Sequence, residues 1–135
     1  MSAGVGYPKN FSESELACKS GASCPYPDRL RHLAWTLQAI RDEFGSPIRI
    51  NSGYRSPEHN KQVGGVKNSQ HVEARAADLV PVSGGASELS RLVLVILDLA
   101  ESGFIPNGGV GVYKTFVHYD MRTSGSARWG KINNE

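Results

Sequence analysis

A carboxylate stands at the entrance of an apolar segment near the middle of this 135-residue chain. Asp78 ends the stretch SQHVEARAAD and is followed at once by Leu79-Val80-Pro81-Val82. A carboxylate at the mouth of a buried strand is costly unless a positive group meets it. The fold must therefore bring an arginine, a helix N-terminus or a metal ion to Asp78.

Length and composition favour one domain over residues 1–135, because 39% hydrophobic residues suffice for one core. Within it we expect a loose lead-in over 1–10 and a polar tail over 130–135. The net charge of +2 comes from scattered basic residues, so we expect no nucleic-acid partner. We also expect a monomer. The longest apolar run, 92–97, is far shorter than a membrane span, so we expect no membrane insertion.

The N-terminal segment, MSAGVGYPKNFSESE, lacks the charged start and apolar stretch of a secretory signal. We therefore expect synthesis in the cytoplasm, with any export by another route. The two cysteines, Cys18 and Cys24, could close a short disulfide, stay free in a reducing compartment, or share a zinc ion with His32. The missing signal favours free thiols.

Two amphipathic helices are predicted from apolar residues at three- and four-residue spacing. The first covers 28–44 with Asp28 as its cap, and the second runs from a cap at Ser87 to about Ser102. A helical turn over 11–16 precedes them.

Four strands are predicted, over 47–52, 76–82, 110–113 and 116–121, and the last two form a hairpin. The segment 53–70 has turn chemistry throughout. A connection of that length inside a compact domain is usually functional.

The strand Phe116–Met121 carries a second polar pair. A period of two puts His118 and Asp120 on one face, and an apolar set on the other: Val117, Tyr119 and Met121. His71, Asp78 and His118 are then the right residue types for a catalytic zinc, which takes three protein ligands and keeps one position open. The competing interpretation of these residues is a core histidine bonded to a carboxylate.

Three stretches resemble the peptidase M15 family, the zinc D-alanyl-D-alanine carboxypeptidases and related cell-wall endopeptidases. Ser69-Gln70-His71 through Asp78 is similar to the family motif Ser-x-His-x-x-Gly-x-Ala-x-Asp. Phe116-Val117-His118-Tyr119-Asp120 is similar to its C-terminal histidine strand, and SGYRSPEHN over 52–60 to the segment before the zinc site. The resemblance extends from about Phe11 to Trp129.

This resemblance implies an α+β fold of the hedgehog/DD-peptidase type, with a small antiparallel sheet flanked by helices. It implies one zinc ion per chain, bound by His71, Asp78 and His118. It also implies that Arg55 holds a substrate carboxylate or carbonyl, for which a guanidinium offers a planar fork. Ser69 is expected to bond either the loop backbone or the substrate.

Two positions depart from the family pattern. The motif glycine is Ala74 here, which is strained if its φ is positive. Many members carry an acidic general base three positions before the last zinc histidine, where this chain has Thr115. Asp120 and Glu73 are the substitute candidates, and Asp120 could equally orient the imidazole of His118.

The resemblance implies a zinc peptidase acting on peptidoglycan stem peptides, as a D-Ala-D-Ala carboxypeptidase or an endolysin-type endopeptidase. With no visible signal, we expect it to be phage-encoded and to act on the cell wall after release or on a virion. Thr115 motivates the alternatives, a zinc-containing module that binds wall peptides or a protein without turnover, or a structural phage component. Trp129 either closes one wall of the cleft or packs the tail.

Overall fold

Four helices and five strands make up the part of the chain that the computed structural model describes, residues 6–130. The helices are α1 (Glu13–Leu16), α2 (Pro27–Phe44), α3 (Pro57–Gln62) and α4 (Gly85–Glu101). The strands are β1 (Ile48–Ser52), β2 (Ala76–Pro81), β3 (Gly109–Val112), β4 (Val117–Asp120) and β5 (Ala127–Gly130). The first half of the predicted lead-in and nearly all of the predicted tail lie outside the described residues.

The five strands form one sheet in the order β1-β2-β4-β3-β5. The pairings β1/β2, β2/β4 and β3/β4 are antiparallel. β5, which the sequence did not predict, pairs with β3 in the parallel direction. The α+β fold is therefore confirmed, and the sheet is mixed, because β5 adds one parallel pairing to the three antiparallel ones. β4 pairs with both β2 and β3, so the outer edge of β3 is the edge that β5 joins.

Both amphipathic helices bury the face that their periodicity predicts. α2 and α4 pack on each other, and α4 also contacts three strands of the sheet. Gly45, with φ of 77°, ends α2 in the left-handed conformation that glycine adopts at little cost. The core contains apolar residues of α2 (Leu30, Leu33, Leu37, Ile40, Phe44) and of α4 (Leu92, Val93, Ile96).

The predicted caps of these helices are wrong. Pro27 already occupies the first turn of α2, so Tyr26 stands at the cap and Asp28 lies inside the helix. α4 begins after Gly84, which has a φ of 97°, and the Ser87 hydroxyl donates to the Gly84 carbonyl. Neither helix has a side-chain cap hydrogen bond.

The segment that was predicted to consist of turns contains α3. The hydroxyl of Ser56 accepts a hydrogen bond from the His59 N–H (3.1 Å), and Pro57 takes the first helical position. Serine followed by proline is a recognised helix start, so the sequence carried a readable signal for this helix.

The cysteines of the described chain are free thiols, as predicted. Cys18 is buried and Cys24 half-buried. His32 is exposed, and residues 6–130 contain no cluster that joins it to the two cysteines as a metal site. None of the helices in this part of the chain has the length and apolar character that a membrane span requires.

Candidate metal centre

One row of residues across the sheet carries the candidate site. Strand register places the five residues of this row side by side: Ser52, Asp78, His118, Gly111 and Trp129. Neighbours in register present their side chains on the same face of a sheet. The carboxylate of Asp78 and the imidazole of His118 are therefore adjacent because β2 and β4 pair in this register.

His71 reaches the same point from the loop before β2. The loop is closed by its own turns, in which the Ser69 hydroxyl accepts from the His71 N–H (3.1 Å) and the Ser69 carbonyl accepts from Val72 (3.1 Å). The imidazole is fixed from outside the loop by a hydrogen bond between Nδ1 and the Gly53 carbonyl at 2.8 Å. Its other nitrogen, Nε2, faces Asp78.

Ala74 carries backbone strain in this loop. Its φ is 59°, the left-handed region in which an L-residue costs on the order of 1 kcal/mol, and it is fully buried. Its N–H donates to the His71 carbonyl (3.2 Å) before the chain turns into β2. The family motif has glycine here, so the strain foreseen for a positive φ is present between two members of the site.

Three acceptor atoms converge at the centre of the site. Asp78 Oδ1 lies 3.3 Å from His71 Nε2 and 3.1 Å from His118 Nδ1. The three residues are 7%, 3% and 9% exposed, respectively. One ligand atom from each lies within 4.8 Å of the other two.

The hydrogen bonds on the far sides of the two rings show that this arrangement fits a cation. His71 Nδ1 faces a carbonyl and His118 Nε2 faces the Asp120 carboxylate (2.7 Å), and both of these partners only accept. Each ring proton therefore belongs on its outer nitrogen, and each inner nitrogen directs a lone pair at Asp78. Two lone pairs and a carboxylate cannot face one another in a buried site without a positive charge between them. Two imidazoles and a carboxylate form a donor set that fits one zinc ion.

The groups around His118 and Asp78 favour a proton on the imidazole and a negative charge on the carboxylate. Burial lowers the pKa of His118, but hydrogen bonds to Asp120 and Asp78 outweigh it and leave the pKa above its ordinary value. Burial likewise raises the pKa of Asp78, yet hydrogen bonds from His118 and His71 hold it well below the usual range. Metal binding at this site must therefore displace protons.

Asp120, the first candidate base, hydrogen-bonds the outer nitrogen of His118. Its carboxylate is fully buried and lies on the side of His118 away from Asp78. Its oxygens accept from the Gly109 N–H (2.9 Å), from the Arg122 N–H (3.0 Å) and from two guanidinium nitrogens of Arg122 (2.9 and 2.7 Å). This geometry supports the alternative that Asp120 orients His118, and the base role stays an untested prediction.

Glu73, the other candidate base, also lies away from the His71–Asp78–His118 cluster. It is paired with Arg29 (3.1 Å) and, at 3.8 Å, with Arg75. It does not line the cleft above the cluster. Its position next to His71 in sequence does not bring its side chain to the metal cluster, because the loop turns it towards α2.

Arg55 lies beside the cluster, as the family motif implied. Its guanidinium is held by Ser52 Oγ (3.1 Å) and Asn60 Oδ1 (3.1 Å), and Nη2 lies 3.6 Å from Asp78 Oδ2. The oxygen of Ser69 accepts the His71 N–H, which is the bond to the loop backbone that was expected as one of its two roles.

A cleft of about 670 Å³ opens over these residues. Asp78 is the one acidic side chain lining it within residues 6–130. Trp129 forms part of its wall, with its ring centroid 5.2 Å from that of His118, so it does more than pack the tail. Tyr113 and Arg122 also line the cleft, and sequence reasoning missed both. Glycine and valine alternate in Gly109–Val112, and this pattern was a readable signal for the cleft wall. The glycines leave room for other side chains on the sheet face that carries His118.

Comparison with known proteins agrees with this geometry. Residues 9–120 match a family described as Peptidase M15. Over 92 residues the chain is 45% identical to the zinc D-Ala-D-Ala carboxypeptidase of Streptomyces albus G. The matched region covers 62% of this chain and 36% of that protein. The chain thus spans little more than a third of the length of the relative it matches.

We predict that Asp120→Asn weakens zinc binding about 10-fold or more, since outer partners of ligand histidines typically contribute that much. The amide keeps the size of the side chain but removes the charge that pairs with Arg122 and accepts from His118. Competition with a chromogenic chelator measures the affinity. Arg128→Gln, on β5 and away from the cluster, is the control, and equal affinities for all three proteins would contradict the orienting role.

Proposed function

The chain belongs to the peptidase M15 family, and from this membership and the site geometry we propose that it is a zinc-dependent peptidase acting on peptidoglycan stem peptides. The observation that carries the proposal is the convergence of His71, Asp78 and His118 on one point beneath an open cleft. A structural zinc site would be closed by a fourth protein ligand, whereas three ligands leave a position for substrate.

In this proposal the two imidazoles and Asp78 hold the zinc, and the neighbouring groups fix their directions. The Gly53 carbonyl and the Asp120 carboxylate keep the ring protons of His71 and His118 on their outer nitrogens. When bound, zinc supplies a Lewis acid for a peptide carbonyl and lowers the pKa of water. The three side chains are buried, which strengthens the charge interactions among them.

Arg55 is the proposed anchor for the substrate terminus. Its guanidinium is already held by Ser52 and Asn60, so little freedom is lost when it binds a carboxylate. A free C-terminal carboxylate next to the scissile bond would favour the carboxypeptidase activity named for the Streptomyces relative. The endolysin-type endopeptidase is the other form of the same proposal, and the phage-encoded setting stays a prediction from the sequence.

A second candidate is a zinc-containing module that binds wall peptides without cleaving them. Two observations favour it: Thr115 lies exposed in the turn before β4, and the cleft lining of the described chain has no acidic residue besides Asp78. A peptidase of this kind needs another group to handle protons, whereas a binding module does not.

Digestion of defined substrates tests the two candidates. We expect the zinc-loaded protein to release D-alanine from a peptide ending in D-Ala-D-Ala or to cut cross-bridges in purified peptidoglycan, as measured by mass spectrometry. His71→Ala and the chelator-treated wild type are the inactive controls. Tight binding of these peptides by a zinc-loaded protein that cleaves none of them would establish the binding module instead.

We expect Arg55→Gln to abolish a preference for free carboxyl termini. A hydrogen-bonded charge pair contributes about 1.5–3 kcal/mol, which is roughly 10- to 100-fold in kcat/KM. The measurement compares each enzyme on one peptide as the free acid and as the C-terminal amide. If the wild type cleaves both forms equally, Arg55 does not bind the terminus. Unchanged zinc content in Arg55→Gln would show that its effect is on the substrate.

A further inference from the structure

The cleft contains few groups that can donate a proton or a hydrogen bond to a reacting peptide. Apart from the proposed metal ligands, guanidiniums and amides, the hydroxyl groups lining it within residues 6–130 are those of Ser69 and Tyr113. The side chain of Ser69 is buried, whereas that of Tyr113 is exposed. Tyr113 therefore carries the hydroxyl that is available at the cleft surface.

The phenol of Tyr113 is held on two sides. Its backbone N–H donates to the Phe116 carbonyl (3.0 Å), which fixes the residue at the end of β3. Its ring stacks on Phe116 with centroids 4.5 Å apart and an interplanar angle of 7°. The indole N–H of Trp129 donates to its hydroxyl oxygen at 2.9 Å. An aromatic ring held by a stack and a hydrogen bond loses little entropy when it makes a further contact.

The hydrogen bond from Trp129 determines what the hydroxyl can do. An indole N–H can only donate, so the Tyr113 oxygen is the acceptor and its own proton remains available. The same indole also contacts His118, with the centroids of the two rings 5.2 Å apart. It fits there because Gly111 has no side chain, since a Cβ on Gly111 would collide with the indole.

We propose that Tyr113 is a catalytic residue that donates a hydrogen bond to the carbonyl oxygen of the scissile peptide bond. Trp129 is then a positioning residue that directs the phenol, and Gly111 is the residue that admits Trp129. The proposal rests on the proposed peptidase function. It assigns a chemical role to the side of the cleft that Tyr113, Phe116 and Trp129 form, where no acidic residue of the described chain lies.

A hydrogen-bond donor at this position would stabilise the negative charge that develops on the carbonyl oxygen during hydrolysis. A fixed donor in a partly water-excluded site stabilises that charge more than it stabilises the neutral substrate. Removing one donor of this kind typically lowers kcat about 100- to 1,000-fold while the substrate still binds. Tyr113 remains 44% exposed in the free protein, so an incoming peptide can reach it.

Tyr113→Phe tests the proposal, because it keeps the stack on Phe116 and removes only the hydroxyl. We expect kcat to fall about 100-fold or more, with KM and zinc affinity within about threefold of wild type. The second readout is the affinity for a phosphinate dipeptide analogue, whose tetrahedral anion resembles the charged intermediate. That affinity should fall in parallel with kcat, which a merely structural change would not produce.

Two further variants separate the roles. Trp129→Phe retains an aromatic ring but loses the N–H, and it should give a smaller loss of kcat than Tyr113→Phe. Tyr26→Phe makes the same chemical change outside the cleft and should match wild type. If Tyr113→Phe cleaves and binds the analogue within about threefold of wild type, the inference is wrong and the peptidase proposal stands. If the zinc-loaded wild type cleaves nothing, the proposed function itself fails.

Discussion

The rest of the site is arranged around the buried carboxylate of Asp78, which requires positive charge beside it. It faces the inner nitrogens of His71 and His118 at 3.3 and 3.1 Å, and the outer nitrogens of both rings already hold their protons. Three buried acceptors cannot remain together unless a cation, or protons in its place, lies between them. The sheet register, the strained loop at Ala74 and the Arg122–Asp120 pair can each be understood as holding these acceptors in place.

The groups that hydrogen-bond the outer nitrogens of the two histidines come from distant parts of the chain. Gly53, before α3, supplies the carbonyl for His71, and its close approach to the Leu16 backbone requires glycine, since a Cβ there would lie 2.5 Å from the Leu16 carbonyl oxygen. Gly109 similarly leaves space for the Asp120 carboxylate and the Arg122 guanidinium. The site therefore requires glycine at these two positions as well as the three ligand residues.

Much of this could be predicted from the sequence, because the signals were local. The helices α2 and α4 follow from apolar periodicity, and β4 from a period of two that placed His118 and Asp120 on one face. The three cluster residues came from a motif whose order survives in the chain. In the structure all three converge, and strand register pairs Asp78 directly with His118.

The remaining features depend on long-range geometry. β5 has no apolar alternation, and its parallel pairing depends on which edge of β3 is left open after the sheet forms. Sequence could place Asp120 beside His118 but could not show that Arg122 and Gly109 enclose it on the far side. For the same reason Tyr113 and Trp129 carried no local sign of their hydrogen bond across sixteen positions.

The most direct test of this account is the zinc content of the wild type beside Asp78→Asn, measured by elemental analysis after dialysis against metal-free buffer. Asparagine keeps the shape and one oxygen but removes the charge that the cation must balance. The account predicts about one zinc per chain for wild type, as for other three-ligand sites, and its loss in Asp78→Asn. A wild type without zinc, or a variant that retains as much, would contradict it.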